Sequence, residues 1–82
     1  MAALRDIDTT KYPEAEWFAV NLGRLRKARG LSQSQVAALM GSNPNYVSAL
    51  ERARVNPSLV VLSRIAKSLD VPLWTLLQKP AD

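Results

Sequence analysis

Apolar residues recur every three to four positions along most of the chain, and this spacing predicts helices rather than strands. The first predicted helix begins near Pro13 and stops at Gly30. The fourth follows the N-cap residue Ser58, and the fifth opens at Pro72. The residues expected to face inward on these three helices are Phe18, Leu22, Leu25, Leu59, Leu62, Ile65, Ala66, Leu69, Leu73, Leu76 and Leu77.

The centre of the chain, residues 33–52, predicts two short helices joined by a sharp turn. Ser32 is a good N-cap for the first, and Gly41 ends it because glycine adopts the left-handed conformation without a Cβ clash. Asn43 caps the second helix, and Pro44 fits its first position. The small Ala37 allows the two helices to cross closely. This arrangement is typical of a helix-turn-helix.

The second helix of this pair has an outward face that suits DNA. At about 100° per residue, Val47 and Leu50 share the inward face, with Glu51 beside them. The opposite face is expected to hold Asn45, Ser48, Ala49 and Arg52. Asparagine and arginine form hydrogen bonds with base edges or phosphates, so the pattern predicts a face that enters a DNA groove.

Composition limits the architecture. The chain has 82 residues and no alternating apolar run, so we expect one domain with an all-α fold of five helices. Residues 1–12 have no apolar period and are expected to form a flexible tail, whereas residues 13–79 form the domain. No apolar run approaches the roughly 20 residues that span a membrane, so a cytoplasmic protein without a membrane partner is expected.

The absence of cysteine and histidine limits the chemistry. Disulfides and thiolate metal sites cannot form, and the commonest metal ligand and general base are missing. We therefore expect no metal or cofactor. Ser63 and Lys67, four residues apart on the fourth predicted helix, are a candidate nucleophile and base, but two solvated surface side chains are the simpler interpretation. The protein is expected not to be an enzyme.

The net charge is +4, and its distribution is more informative than its size. Residues 17–67 contain eight basic residues and one acid, Glu51, whereas both ends are slightly acidic. A positive middle suits a polyanion such as double-stranded DNA. A solvated basic face, which many small proteins have, is the alternative explanation of the charge alone.

Residues 17 to about 77 resemble the phage repressor and Cro type (Xre-like) helix-turn-helix family. The matching segments read FAVNLGRLRKARGLSQSQVAALMG, NYVSALER, NPSL and RIAKSLDVPLWTLL. The resemblance implies a homodimeric, sequence-specific regulator that binds a palindromic operator in double-stranded DNA, as repressors and the controllers of restriction-modification systems do. The alternative is a protein-interaction module, such as the antitoxin of a toxin-antitoxin pair.

The resemblance also implies roles for individual residues. Those matching base-reading positions are Pro44, Asn45, Ser48, Ala49 and Arg52, and those matching phosphate contacts are Ser32, Gln33, Asn43, Tyr46, Arg54 and Asn56. Pro44 has no donor where the family often has a hydrogen-bonding reader, so contact with a thymine methyl group is its remaining role. The alternatives are helix capping for Gln33, simple exposure for Asn45 and packing at the domain edge for Tyr46.

Two further sets of residues are expected to support the DNA-binding face. Arg26 and Glu51 match a family ion pair that joins the first and third helices, although two separate solvated charges are the alternative. Val60, Leu73 and Trp74 are apolar residues on the last two predicted helices and are candidates for a dimer interface. For Trp74, an ordinary position at the edge of the core is equally compatible with the sequence.

Overall fold

The computed structural model describes residues 7–81, and this range contains five α-helices and no strand. They are α1 (Pro13–Ala28), α2 (Gln33–Met40), α3 (Pro44–Glu51), α4 (Leu59–Ser68) and α5 (Leu73–Leu77). The all-α fold of five helices that the sequence predicts is confirmed. None of these helices combines the length and hydropathy that a membrane-spanning segment needs.

The helix ends are fixed by the residues that the sequence indicated. Asn43 Oδ1 accepts a hydrogen bond from the backbone N–H of Tyr46, and Ser58 Oγ accepts one from Val61. Gly41 has a φ of 73°, the left-handed conformation that glycine adopts without strain. The turn between α2 and α3 is therefore short and sharply defined, as a helix-turn-helix requires.

One core joins all five helices. Helix α1 packs against α3 and α5, and α2 packs against α3 and α4. The largest fully buried side chains are Leu22, Leu50, Ile65, Leu69, Leu76, Val36 and Val47. Burial of each such aliphatic side chain stabilises the fold by about 1.5–3 kcal/mol, so the core holds α3 firmly from its inner side. Ala37 is also buried there, beside α3.

Two residues that were expected to face inward are exposed. Leu59 is 69% exposed and Leu77 is 38% exposed, so both predictions are wrong. Leu59 is the first residue of α4, and Leu77 is the last residue of the five-residue α5. Periodicity gives the direction of a side chain around the helix axis, but it does not show whether a neighbouring helix extends far enough to cover the helix end.

Both ends of the described chain are hydrogen-bonded to the domain. The Ile7 N–H donates to the Ala53 carbonyl at 2.9 Å, so residues 7–12 of the predicted tail begin in contact with the end of α3. The predicted flexibility of residues 1–6 concerns positions outside the described range. Near the other end, the Asn21 side-chain amide donates to the carbonyls of Leu76 at 2.9 Å and Gln78 at 2.8 Å, which ties α5 to α1.

Candidate nucleic-acid interface

The outer side of α3 has the polar character that the sequence predicts. Pro44, Asn45 and Arg52 are exposed, and Ser48 is half-buried. Within residues 7–81, the Asn45 side chain makes no hydrogen bond, so both its amide N–H groups and its carbonyl oxygen are available to a ligand. Arg52 Nε donates to the Ser48 carbonyl at 3.4 Å, a long bond that leaves the terminal guanidinium nitrogens available.

Ala49 does not lie on this exposed face. It is only 2% exposed, so its predicted place among the outward residues is wrong. Ala49 directly precedes the core residue Leu50 in the chain. The chain also turns back after α3, because the Arg54 N–H donates to the Ala49 carbonyl at 2.9 Å. The exposed face of α3 is thus narrower than the helical period indicated.

The N-terminus of α2 presents free backbone donors. Ser32 Oγ accepts from the Gln35 N–H at 3.0 Å, and Gln35 Oε1 accepts from the Ser32 N–H at 2.7 Å, which is a capping box. The Gln33 and Ser34 N–H groups have no hydrogen-bond partner in the described part of the chain. They lie at the positive end of the helix dipole, a favourable position for an anion.

The remaining predicted phosphate contacts lie on the two turns that flank α3 and, for Tyr46, in the first turn of α3 itself. Asn43 Oδ1 caps α3, so the side-chain NH2 of Asn43 is the group that remains for a ligand. Tyr46 is half-buried and packs against the core, and this burial raises the pKa of its hydroxyl group. Arg54 and Asn56 are exposed in the turn after α3. For Tyr46, packing at the domain edge therefore applies to the aromatic ring.

An ion pair lies beneath this surface and joins α1 to α3. Arg26 Nε lies 2.6 Å from Glu51 Oε2, Arg26 Nη2 lies 3.1 Å from Glu51 Oε1, and both side chains are nearly nine-tenths buried. Arg26 Nη1 also donates to the Leu31 carbonyl at 3.0 Å. The hydrogen bonds to Glu51 raise the pKa of Arg26 despite its burial. The bidentate pair fixes both helices in one relative orientation.

The same carboxylate contacts α2. Gln33 Nε2 donates to Glu51 Oε1 at 3.3 Å, so one carboxylate joins three helices. Gly23 on α1 leaves room for it, because a Cβ atom there would lie 3.4 Å from Glu51 Oε1. No pattern in the sequence indicates the bond from Gln33 to Glu51. The capping partner Gln35 is also absent from the predicted site residues, although the Ser-x-x-Gln spacing from Ser32 is a recognisable signal.

The other side of the molecule exposes apolar residues on α4 and α5. Val60 is 61% exposed and Trp74 is 62% exposed, whereas Leu73 is half-buried and packs against the core. Leu59 and Leu77, described above, are also exposed apolar residues of these two helices. The structure therefore leaves Val60 and Trp74 free to contact a partner, and Leu73 is mainly a core residue.

Comparisons with known proteins agree with this geometry. The family model described as Helix-turn-helix (HTH_3) matches residues 22–73. An uncharacterized HTH-type transcriptional regulator, y4dJ, of Sinorhizobium fredii is 43% identical over 51 residues, which cover 62% of this chain and 66% of the relative. This chain thus matches slightly less than two thirds of that relative's length.

Two solved structures are similar over most of the chain. The restriction-modification controller protein C.AhdI from Aeromonas hydrophila is 38% identical, with a TM-score of 0.75, and the match covers 79% of this chain and 98% of that one. The hypothetical transcription factor NHTF from Neisseria is 32% identical, with a TM-score of 0.80, and the match covers 98% of this chain and 87% of that one.

Proposed function

The chain belongs to the helix-turn-helix family of transcriptional regulators, and we propose that it binds an operator in double-stranded DNA sequence-specifically, as a homodimer. The operator is palindromic, and binding regulates transcription from a nearby promoter. The protein acts in the cytoplasm. The observation that carries this proposal is the outer face of α3, where Asn45 and Arg52 are exposed above a fully buried inner face. Such a helix can enter the major groove without disturbing its own core.

Base readout is proposed for the N-terminal part of α3. The free Asn45 amide can form two hydrogen bonds with an adenine, and a good bidentate contact contributes about 1–3 kcal/mol of discrimination. Pro44 offers only an apolar surface, which suits a thymine methyl group. Ser48 lies further along the same helix, and Arg52 directly follows its last residue. With Ala49 buried, few bases are contacted directly, so we expect DNA shape to contribute to specificity.

Phosphate binding is proposed for groups on both sides of α3. The donors at the α2 end are the Ser32 hydroxyl, the Gln33 side chain and the free N–H groups of Gln33 and Ser34. The candidates on the turns before and after α3 are Asn43, Arg54 and Asn56, and Tyr46 lies on α3 itself. Their contacts would fix the position of α3 in the groove without reading sequence. Because these groups lie before, on and after α3, they can contact the DNA backbone on both sides of the groove.

Binding as a homodimer follows from energetics and from the exposed apolar residues. A monomer with about four phosphate contacts binds weakly at cellular salt, whereas a dimer with about eight gives a slope of log affinity against log salt near −7. Val60 and Trp74 offer uncovered apolar surface for the second copy. The domain measures 33 × 31 × 19 Å, so two copies side by side match half-sites separated by one DNA turn, about 34 Å.

Selection of binding sites from a random duplex library tests this proposal. We expect enrichment of a two-fold symmetric motif with half-sites about one helical turn apart. Asn45→Ala should relax the preference at one position of each half-site. Arg64→Ala, a change of an exposed arginine on α4, is the control and should leave the motif unchanged. No enrichment and no salt-sensitive duplex binding would contradict the proposal and favour a protein-interaction module such as an antitoxin.

A further inference from the structure

The Gln33 side chain is held by the ion pair beneath the α2–α3 surface. Its Nε2 atom carries two hydrogens, and the bond to Glu51 Oε1 at 3.3 Å uses one of them. Glu51 is itself fixed by the two bonds from Arg26. The Gln33 amide is therefore restrained by an acceptor that has little freedom of its own. A free glutamine side chain would instead lose conformational entropy when it bound a ligand.

The restrained amide adjoins the unpaired backbone donors of α2. Gln33 is the first residue of α2, and its own N–H and that of Ser34 have no partner within residues 7–81. The second Nε2 hydrogen also has no acceptor in that range. Three donors thus lie on the first two residues of one helix, at the positive end of its dipole.

We infer that Glu51 is a positioning residue for DNA binding, because it holds the Gln33 amide ready to donate to a backbone phosphate. This inference rests on the proposed DNA-binding function. It gives the ion pair a second role: Arg26 fixes Glu51, Glu51 fixes Gln33, and Gln33 contacts DNA. Glu51 itself does not touch the phosphate.

Simple electrostatics predicts the opposite effect of Glu51. A carboxylate below a phosphate-binding surface repels DNA, and its removal leaves Arg26 with an unneutralised charge. If charge alone mattered, Glu51→Gln would therefore tighten binding. If Glu51 positions Gln33, the same isosteric substitution weakens binding, because the single amide oxygen accepts the shorter bond from Arg26 Nε and the amide NH2 that then faces Gln33 cannot accept. The sign of the change in affinity separates the two explanations.

A double-mutant cycle measures this positioning. The variants are Gln33→Met, Glu51→Gln and the pair, and the probe is a fluorescent 30-base-pair duplex of mixed sequence, titrated at low salt by anisotropy. Phosphate contacts do not depend on sequence, so no operator is needed. Hydrogen bonds to charged groups are strong, so we expect Gln33→Met to weaken binding about tenfold. Glu51→Gln should weaken it severalfold in the wild-type background and leave it unchanged, or tighten it, in the Gln33→Met background.

Stability effects are separated from positioning by two controls. Thermal unfolding of each variant shows the temperature at which it is fully folded, and binding is measured below that temperature. The second control uses the unchanged protein: the Gln33 side-chain NH2 signals in a ¹⁵N correlation spectrum should shift when the duplex is added. This measurement remains informative if Glu51→Gln does not fold.

The outcomes distinguish the two proposals. If the wild-type protein does not bind the duplex at any salt concentration, the proposed DNA-binding function fails. If it binds, but Glu51→Gln has the same effect with and without Gln33, or the Gln33 amide signals do not move, the positioning role of Glu51 is overturned while DNA binding stands. Coupled losses and a shifted Gln33 amide support it.

Discussion

The α2–α3 half and the α4–α5 half of this domain leave very different surfaces exposed. The α2–α3 half has a capping box, a left-handed glycine between its helices and an ion pair that joins α1 to α3. Its outer residues are mostly polar. In the α4–α5 half, Trp74 and Val60 are more than half exposed, and the short α5 depends on Asn21 to bind its last carbonyls.

This difference separates two ways of preparing a surface for a partner. The α2–α3 half fixes its backbone and leaves hydrogen-bonding groups free, which favours a polar and charged ligand such as DNA. The α4–α5 half leaves apolar area in water, which favours a protein surface. The two halves therefore suit two partners at once, and a dimer bound to DNA, as proposed above, would use both.

Breaking the ion pair should have the largest effect on stability. Arg26→Met leaves Glu51 buried without its partner, and we expect the free energy of unfolding to fall by about 3 kcal/mol. Urea unfolding at a fixed protein concentration measures this. Arg24→Met on the same helix is the matched control, because Arg24 is exposed and, among residues 7–81, donates only to the Ala81 carbonyl.

The control should change the free energy of unfolding by no more than about 0.5 kcal/mol. Equal losses for the two substitutions would show that the ion pair does not hold α1 and α3 together more firmly than a surface contact does. The α2–α3 half would then lack the rigidity that we assign to it.

Removing the exposed tryptophan should affect assembly more than folding. Trp74→Ala removes a large apolar contact, and we expect the dimer dissociation constant to rise about 30-fold, the equivalent of about 2 kcal/mol. Sedimentation equilibrium measures it. Leu39→Ala is the matched control, because Leu39 is 61% exposed, close to the 62% of Trp74, but lies on α2.

Leu39→Ala should leave the dimer unchanged, because Leu39 lies in the α2–α3 half. If Leu39→Ala weakened the dimer and Trp74→Ala did not, the second copy of the chain would bind the α2–α3 half and not the α4–α5 half. If the protein were monomeric both with Trp74 and after Trp74→Ala, the proposed homodimer would be wrong.

The turns that end α3 and α4 should respond to glycine in the same direction but by different amounts. Ala53 has a φ of 55°, where a Cβ atom is strained, so Ala53→Gly should raise the free energy of unfolding by about 0.5 kcal/mol. Asp70 has a φ of 56°, but aspartate tolerates this conformation better, so Asp70→Gly should gain less. Chemical denaturation measures both. A loss of stability in Ala53→Gly would show that the Ala53 methyl contributes more than its strain costs.

The smallest expected effect concerns the segment that precedes α1. The Asp8 carboxylate accepts hydrogen bonds from the Thr10 hydroxyl and from the Thr10 and Lys11 N–H groups, and these bonds lower the pKa of Asp8 below 3.8. A lowered pKa stabilises this turn above pH 3.8, and the contribution is lost as the pH falls through the folded value. NMR titration of the carboxyl group should show a midpoint below 3.8, and Thr10→Val should raise it. A midpoint unaffected by Thr10→Val would contradict this assignment.

Local signals in the sequence were sufficient for the helices and their ends. Ser32, Gly41, Asn43 and Ser58 each act on groups within a few residues, so their effects can be inferred without the tertiary structure. The ion pair between Arg26 and Glu51 was expected only through the family resemblance. Its two residues are 25 positions apart in the chain, and no local pattern specifies such a contact.

The errors arose where burial depends on neighbouring elements. The helical period places Ala49 outside and Leu59 inside, but Ala49 is 2% exposed and Leu59 is 69% exposed. The period gives the direction of a side chain around the helix axis and not what lies next to it. The bonds from Asn21 to the end of α5 and from Gln33 to Glu51 also join distant segments. The assignment of bases and phosphates to individual residues stays a prediction.

The most direct test of α3 as the DNA-contacting helix is an NMR titration of ¹⁵N-labelled protein with a duplex, at a concentration where the protein is already a dimer. We predict that the largest amide shifts fall on Gln33, Ser34, Asn45 and Ser48, while the amides of α4 and α5 move little. Shifts confined to α4 and α5, with the amides on the exposed face of α3 unchanged, would contradict the proposal that DNA binds the α2–α3 half.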